Sequence, residues 1–419
     1  MTSLKNALEE IVVVEIQDQL NHLSQSAREA INLSEVAAFA LNRLPALYAS
    51  TSRGWLQQRK RAHNELQNQI VSAVKQALLG VKQDPLRKST KIAASQVETP
   101  AHVLAKLQQL FSKPSLLWQN VPQAFQEALA LVTHAPEFAG LSINDRNRLR
   151  EIKGYLQRKG TSNHDRRDWQ ANIELPNPEL KSYILSSSYF LVNVLEDLVS
   201  KEVATQLTHM ETVLPRKVGI DDVSAHVLNR LPTLYATTQQ GLIWQTQKAK
   251  EKLSSQIEST VIQSLMTLSK TPRRLTDPIP LLKFEEECEL AIRELRLIFQ
   301  RDDITWHNFV SLAEYAIDHE RQGMTYWRQQ WRMLGQIYSE MYLQPGDAEL
   351  SLGHTADGEV LIVRTYTKAA FGWLADNPKN LGISTLRLFP AVAEIELHAT
   401  FLDFSINYTR EEMAADGII

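Results

Sequence analysis

Arginine is the side chain best fitted to hold a phosphate, because its planar fork donates two parallel hydrogen bonds and its face can stack on a ring. Several cations of this chain gather along one stretch. Arg43 stands just before a proline, Tyr48 follows, and Arg53-Gly54-Trp55 opens a segment that continues through Arg59, Lys60 and Arg61, with Arg87 further on. Such a set could grip phosphates with its cations and stack bases on Tyr48 or Trp55, at roughly 1–3 kcal/mol per base. Gly54 would let a phosphate approach the backbone, and the first amides of a helix attract anions. Each residue also has a plainer role. The tyrosine can pack in a core, Arg43 can pair with acidic residues of a neighbouring helix, and Arg59-Lys60-Arg61 can be a solvated helix face.

The same stretch occurs twice. Leu41-Asn42-Arg43-Leu44-Pro45-Ala46-Leu47-Tyr48-Ala49 returns as Leu228-Asn229-Arg230-Leu231-Pro232-Thr233-Leu234-Tyr235-Ala236, 187 positions later. The offset also carries Asn6 onto Asn193, Glu9 onto Glu196, Gly54 onto Gly241 and Ile70 onto Ile257 without a gap, the mark of a duplicated domain. The second copy keeps Arg230, Tyr235, Lys248 (for Arg61) and Arg274 (for Arg87). It has Gln240, Leu242, Thr246 and Gln247 where the first has Arg53, Trp55, Arg59 and Lys60. The second copy is therefore expected to bind an anion less well.

The elements that must position these residues read as helices. Leu4, Leu8, Ile11, Val12, Ile16 and Leu20 give an amphipathic helix over 4–20. Ser34-Glu35 or Asp221-Asp222 can cap a second helix, which the proline of Asn-Arg-Leu-Pro ends. Long helices follow at 55–80 and 242–269. A fainter echo comes after each copy, where Trp118-Gln119-Asn120 recurs as Trp306-His307-Asn308; both tryptophans are expected in a core. The organisation is then a first copy over 1–90, a helical module over 101–160 and a linker over 161–187. A second copy spans 188–277, a second helical module 283–345, and an α+β segment 346–419, where Val360-Leu361-Ile362-Val363 and the alternation Ile395, Leu397, Ala399, Phe401 predict strands. The fold class is mainly α.

With 45 basic and 48 acidic residues, net charge −3, no global field favours nucleic acid or membrane, so any anion must meet a local patch. Hydrophobic content of 43% is that of a globular chain. Cys288 is the single cysteine, which excludes an intrachain disulfide and a cysteine-cluster metal site. No leader or spanning segment is read in residues 1–16, giving a cytoplasmic protein without membrane insertion as the expectation. No phosphate-binding glycine-rich loop, Gly-x-Ser-x-Gly or His-Glu-x-x-His occurs. Asp318-His319-Glu320 would point in different directions on a helix, and Asp302-Asp303 reads as a helix start rather than a metal pair. The expectation is a non-enzyme with no catalytic residues and no metal or other cofactor.

The register Asn6-x-Leu8-Glu9, Ala40-Leu41-Asn42-Arg43-Leu44-Pro45-x-Leu47-Tyr48 and Gly54-Trp55, continuing to Asp84-Pro85-Leu86-Arg87, resembles the late competence development protein ComFB family. It looks most like the cyanobacterial branch, and the two copies cover less than half of the chain. The resemblance implies a small helical domain that pairs as a dimer and receives cyclic dinucleotides, cyclic-di-GMP above all. It implies a partner protein that reads the signal, and an internal pseudo-dimer of the copies or a homodimer of the chain. Family members that bind zinc carry cysteines before the second helix; His22 to Asn32 and His209 to Gly219 have none, so that role does not transfer. The competing expectation is a helical scaffold that has lost the nucleotide and acts through protein contacts.

Overall fold

A computed structural model describes residues 4–25, 28, 31–81, 92, 98–133, 178–210, 212–271, 277–324, 326–355 and 358–415. The chain divides into two compact units, one of Met1–Ala105 with Leu175–Glu285 and one of Lys106–Glu174 with Glu286–Ile419.

The first copy begins with a two-residue strand, β1 (Lys5–Asn6), and α1 (Ala7–Asn21). Asn6 starts the helix, its side chain accepting from the Leu8 amide. α2 (Leu33–Leu41) is capped by Asn32, whose side chain takes the Ser34 amide; Ser34 and Glu35, expected as the cap, lie within its first turn. It ends before Pro45, and β2 (Tyr48–Ala49) pairs antiparallel with β1. The long helix expected at 55–80 is two, α3 (Ser52–Glu65) and α4 (Gln67–Val81), broken at Leu66. α5 (Pro100–Leu110) and α6 (Val121–Thr133) come from the first module, whose residues 134–160 lie outside those described, and α7 (Pro178–Leu185) follows.

The second copy repeats the pattern with β3 (Val192–Asn193), α8 (Val194–Met210), α9 (Ile220–Leu228), β4 (Tyr235–Ala236), α10 (Gln239–Lys252) and α11 (Ser254–Lys270). Gly219 occupies the cap position of α9, without a side-chain bond, and Asp221 and Asp222 favour its first turn by charge. The two copies pack directly on each other inside the first unit, as expected of an internal pseudo-dimer. Tyr235 sits in the core of the first copy, and Tyr48, Leu4 and Ala46 sit in the core of the second.

In the second unit, α12 (Leu282–Phe299), α13 (Phe309–Arg321) and α14 (Trp327–Glu340) form the second helical module. α6 packs on α13, with the Phe125 ring edge-on to Phe309 at 5.4 Å and also against Phe299. Trp118 is fully buried, but Trp306 is only partly so and stacks on His307; Trp327 and Trp331 fill the core instead. Asp302-Asp303 does not open a helix. Asp303 is buried in a two-bond pair with Arg301, at 2.7 and 2.9 Å, and accepts from the Leu350 amide.

The C-terminal segment is α+β. β5 (Ala348–Thr355), β6 (Gly358–Thr365), α15 (Lys368–Asp376), α16 (Pro378–Leu388), β7 (Val392–Ala399), β8 (Phe404–Thr409) and α17 (Arg410–Ala415) build one sheet in the order β5-β6-β7-β8. The central β6–β7 pair is parallel, and the intervening α15 and α16 make the crossover that such a pair requires. Among the described residues no helix is long and apolar enough to cross a membrane.

Candidate functional site

The residues shared most closely by the two copies meet at the pseudo-two-fold axis between them. The Asn42 amide both accepts from the Tyr235 backbone N–H at 2.6 Å and donates to the Tyr235 carbonyl at 3.0 Å; Asn229 does the same for Tyr48, at 2.6 and 2.9 Å. One side chain thus satisfies a backbone residue of the other copy at both its polar groups, as a neighbouring strand would. This is why the motif carries asparagine: aspartate could accept but not donate.

Below these contacts lies a polar network. Asn6 uses its oxygen to hold the Leu8 and Leu47 amides and its Nδ2 to donate to the Tyr235 hydroxyl at 2.9 Å. Asn193 holds Leu195 and Leu234 and donates to the Tyr48 hydroxyl at 2.8 Å. Each phenol then donates to the glutamate of the opposite copy, Tyr48 to Glu196 at 2.6 Å and Tyr235 to Glu9 at 2.8 Å, and the two hydroxyl oxygens stand 3.4 Å apart.

Burial raises all four ionisable groups. The phenols of Tyr48 and Tyr235 are held well above their usual range, first by burial and then by the negative charges beside them. Burial also raises the Glu9 carboxyl, against the opposing pull of the Tyr235 bond and Lys5. Glu196 is pushed up to about 7 by burial and then by the charge of Glu9, with the Tyr48 bond and Lys5 opposing.

Next to Glu9 the first copy has a small cavity of about 50 Å³, lined among others by Lys5, Glu10, Trp55, Tyr189 and Glu285. Sites for drug-sized ligands run to several hundred Å³, so this space is too small for a nucleotide.

Arg43 and Arg230 are exposed and turn back on their own helices. Arg43 donates to the Phe39 carbonyl and lies 3.4 Å over the Phe39 ring; Arg230 donates to the His226 carbonyl. Both close a helix C-terminus, where a cation meets unpaired carbonyls, and neither pairs with α1 or α8. Tyr48 and Tyr235 are each 2% exposed, so neither offers a ring face to a base. Trp55 is also buried, at 6%, in the core of the first copy. Arg59 is held by Glu10 at 2.5 Å, and Arg61 pairs along the helix with Glu65. Arg53 and Lys60 are exposed on the outer side of α3 and have no carboxylate partner among the described residues. Arg87 and Arg274 lie outside the described residues.

Gly54 serves the helix cap rather than a phosphate. The Thr51 hydroxyl accepts from the Gly54 amide at 3.2 Å, and a Cβ at Gly54 would sit 3.0 Å from that oxygen; Thr238 and Gly241 repeat the arrangement. The Ser52 amide is taken by the Asp277 carbonyl. Two of the amides expected to draw an anion are already bonded.

One exposed aromatic surface comes from a residue that comparing Trp55 with Leu242 passes over. Trp244, on α10, is 61% exposed, and the Lys248 ammonium lies 5.0 Å from its ring centre. The helical step of two residues between Trp55 and the position equivalent to Trp244 moves the ring from the inner to the outer side of the helix. Leu56 and its counterpart Ile243 are exposed beside these positions. In the second unit, Asp318, His319 and Glu320 each have a separate partner, in Arg321, the Tyr315 carbonyl and Arg328.

None of the curated proteins compared with this chain matches it. Residues 5–85 and 192–272 each match the family described as late competence development protein ComFB. Those spans contain the two strand-linked helical copies and every member of the axial network, so the chain carries two ComFB-like domains in tandem.

Proposed function

We propose that this protein is a receptor for a cyclic dinucleotide, cyclic-di-GMP first among them, working in the cytoplasm by binding and by passing the signal to a partner protein, without catalysis. The observation that carries the reading is the composition of the outer faces of the paired copies. α3 presents Arg53 and Lys60 without carboxylate partners among the described residues, and α10 presents an open indole with Lys248 beside it. Phosphates need the first and a purine face needs the second. A two-fold ligand also suits a two-fold pair of domains. The proposed ligand residues are thereby moved from the repeated motif to Arg53, Lys60, Trp244 and Lys248, with two cations from the first copy and the ring and one cation from the second.

Calorimetry of the full chain with cyclic-di-GMP and cyclic-di-AMP tests this. Binding is expected, with Trp244→Ala weakening it by about 1–3 kcal/mol if a base stacks there. Absence of both heat and thermal shift at high micromolar ligand would sink the receptor reading. The exposed aliphatic residues Leu56 and Ile243, at equivalent places in the two copies, favour a second reading, a scaffold that docks proteins on these same helices. That reading predicts silence in calorimetry and loss of partner capture on Ile243→Asp.

A further inference from the structure

We propose that the chain of side chains Glu9–Tyr235–Tyr48–Glu196 is a proton-operated latch between the two ComFB domains, closed while one carboxyl is neutral and loosened when both are charged.

The geometry requires the two carboxyls to share one network. Each accepts from a tyrosine of the other domain, and the two hydroxyls are 3.4 Å apart, so the four groups form a continuous path across the axis. Each hydroxyl proton is committed to a glutamate, and each hydroxyl oxygen already accepts from an asparagine amide. Within the network each half-buried carboxylate therefore has a single phenol as its donor, and the two phenols meet at the axis.

The surrounding charges do not balance the pair. Lys5 on β1 is the cation that acts on both carboxyls, and it is drawn aside by Glu285 on α12 at 3.8 Å. Arg59 on α3 is taken by Glu10, and Tyr189 adds no charge. On the other domain Asp197 is paired with Lys201, and the position equivalent to Lys5 is Val192. Among the described residues, Glu196 therefore draws on no cation from its own domain. Glu9 also borders the small cavity.

The sign follows from where the charge is disfavoured. Relative to the ordinary value of 4.5, Glu196 is raised to about 7 and Glu9 is raised too. A carboxyl that binds its proton more tightly when folded contributes stability fully below its unfolded pKa, and that stability is lost as pH rises through the folded pKa. The domain pairing is tightest below about pH 4.5 and weakens up to and past about pH 7 on this account, by at most roughly tenfold in the folding constant per pH unit for one proton.

The test uses the full chain in thermal denaturation between about pH 5.5 and pH 8.5, with hydrogen exchange of the Tyr48 and Tyr235 amides corrected for intrinsic rate. Those amides report the inter-domain contact because they donate to Asn229 and Asn42. Wild type is expected to lose melting temperature and amide protection as pH rises. Glu196→Gln, which keeps the acceptor for Tyr48 without the charge, should flatten that dependence. So should Val192→Lys, which keeps Glu196 and supplies the missing cation. Infrared spectra near pH 6 should show a protonated carboxyl band that Glu196→Gln removes. Equal pH slopes in wild type and Val192→Lys would overturn the latch even if Glu196→Gln failed to fold, and so would a wild-type spectrum without the band.

Discussion

At the scale of single residues, the repeated Asn-Arg pair divides its labour. Asn42 and Asn229 each satisfy both backbone groups of a tyrosine in the opposite copy, whereas Arg43 and Arg230 cap their own helices in solvent. Asn229→Ala should cost about 2 kcal/mol in chemical denaturation, because a partly buried N–H and C=O lose their partners. Arg43→Ala, which removes an exposed helix-end cation and its contact with Phe39, should cost less, about 0.5–1 kcal/mol. A comparable loss from both would mean that the asparagine does not hold the pair. The tyrosines give a prediction with a pH sign. Tyr235→Phe removes the bond that holds Glu9 down, so the Glu9 folded pKa rises further and more stability is lost as pH climbs. The penalty should rise with pH, towards about 2 kcal/mol, as the carboxyl that has lost its donor takes up charge; a penalty independent of pH would rule out this coupling.

At the scale of elements, the helices were legible and their use was not. Apolar spacing marks α1, α4 and α11, and Pro45 and Pro232 mark the ends of α2 and α9, because those features act within one segment. The break at Leu66 and Leu253 has no such mark: a leucine there is ordinary helix sequence, and only the backbone, at φ −114° and −116°, departs from the helix. The placement of Tyr48 shows the same limit. Its partners are Asn193, Glu196 and Asn229 from the other copy, so nothing near it in sequence shows that its ring is covered. A signal was present nonetheless, since Asn6, Glu9 and Asn42 are polar residues unchanged between copies that differ around them. The helix starts give the prediction at this scale. Thr51→Ala and Thr238→Ala each remove the hydroxyl that takes the amide of Gly54 or Gly241, and each should cost about 1 kcal/mol. In the second unit Gly335→Ala should cost more, because its Cβ would lie 2.1 Å from the Gln300 carbonyl oxygen, too near for side-chain adjustment to relieve. Thermal denaturation ranks the three, and a neutral Gly335→Ala would contradict the observed approach of α14 to the turn after α12.

At the scale of the whole molecule, duplication has made one chain supply both halves of a two-fold contact and has then let the halves diverge. Every partner that Tyr48 finds in the second copy has an equivalent in the first: Glu9 for Glu196, Asn6 for Asn193 and Asn42 for Asn229. A fragment of residues 1–90 therefore carries a complete set of contacts for pairing with itself, and so does 188–277. The two homodimers would differ at the axis. The first would place two copies of Lys5 near two copies of Glu9, whereas the second would place two copies of Glu196 together with Val192 in the lysine position. Sedimentation of the separate fragments should find both as dimers at pH 6. At pH 8 the 188–277 dimer should dissociate at roughly tenfold lower dilution factor or more, corresponding to about 1.4 kcal/mol lost from charging a carboxyl without a cation, while 1–90 holds. If 188–277 proved the more stable dimer at pH 8, the lysine would not be what makes the shared axis tolerable, and the asymmetry between the copies would need another cause.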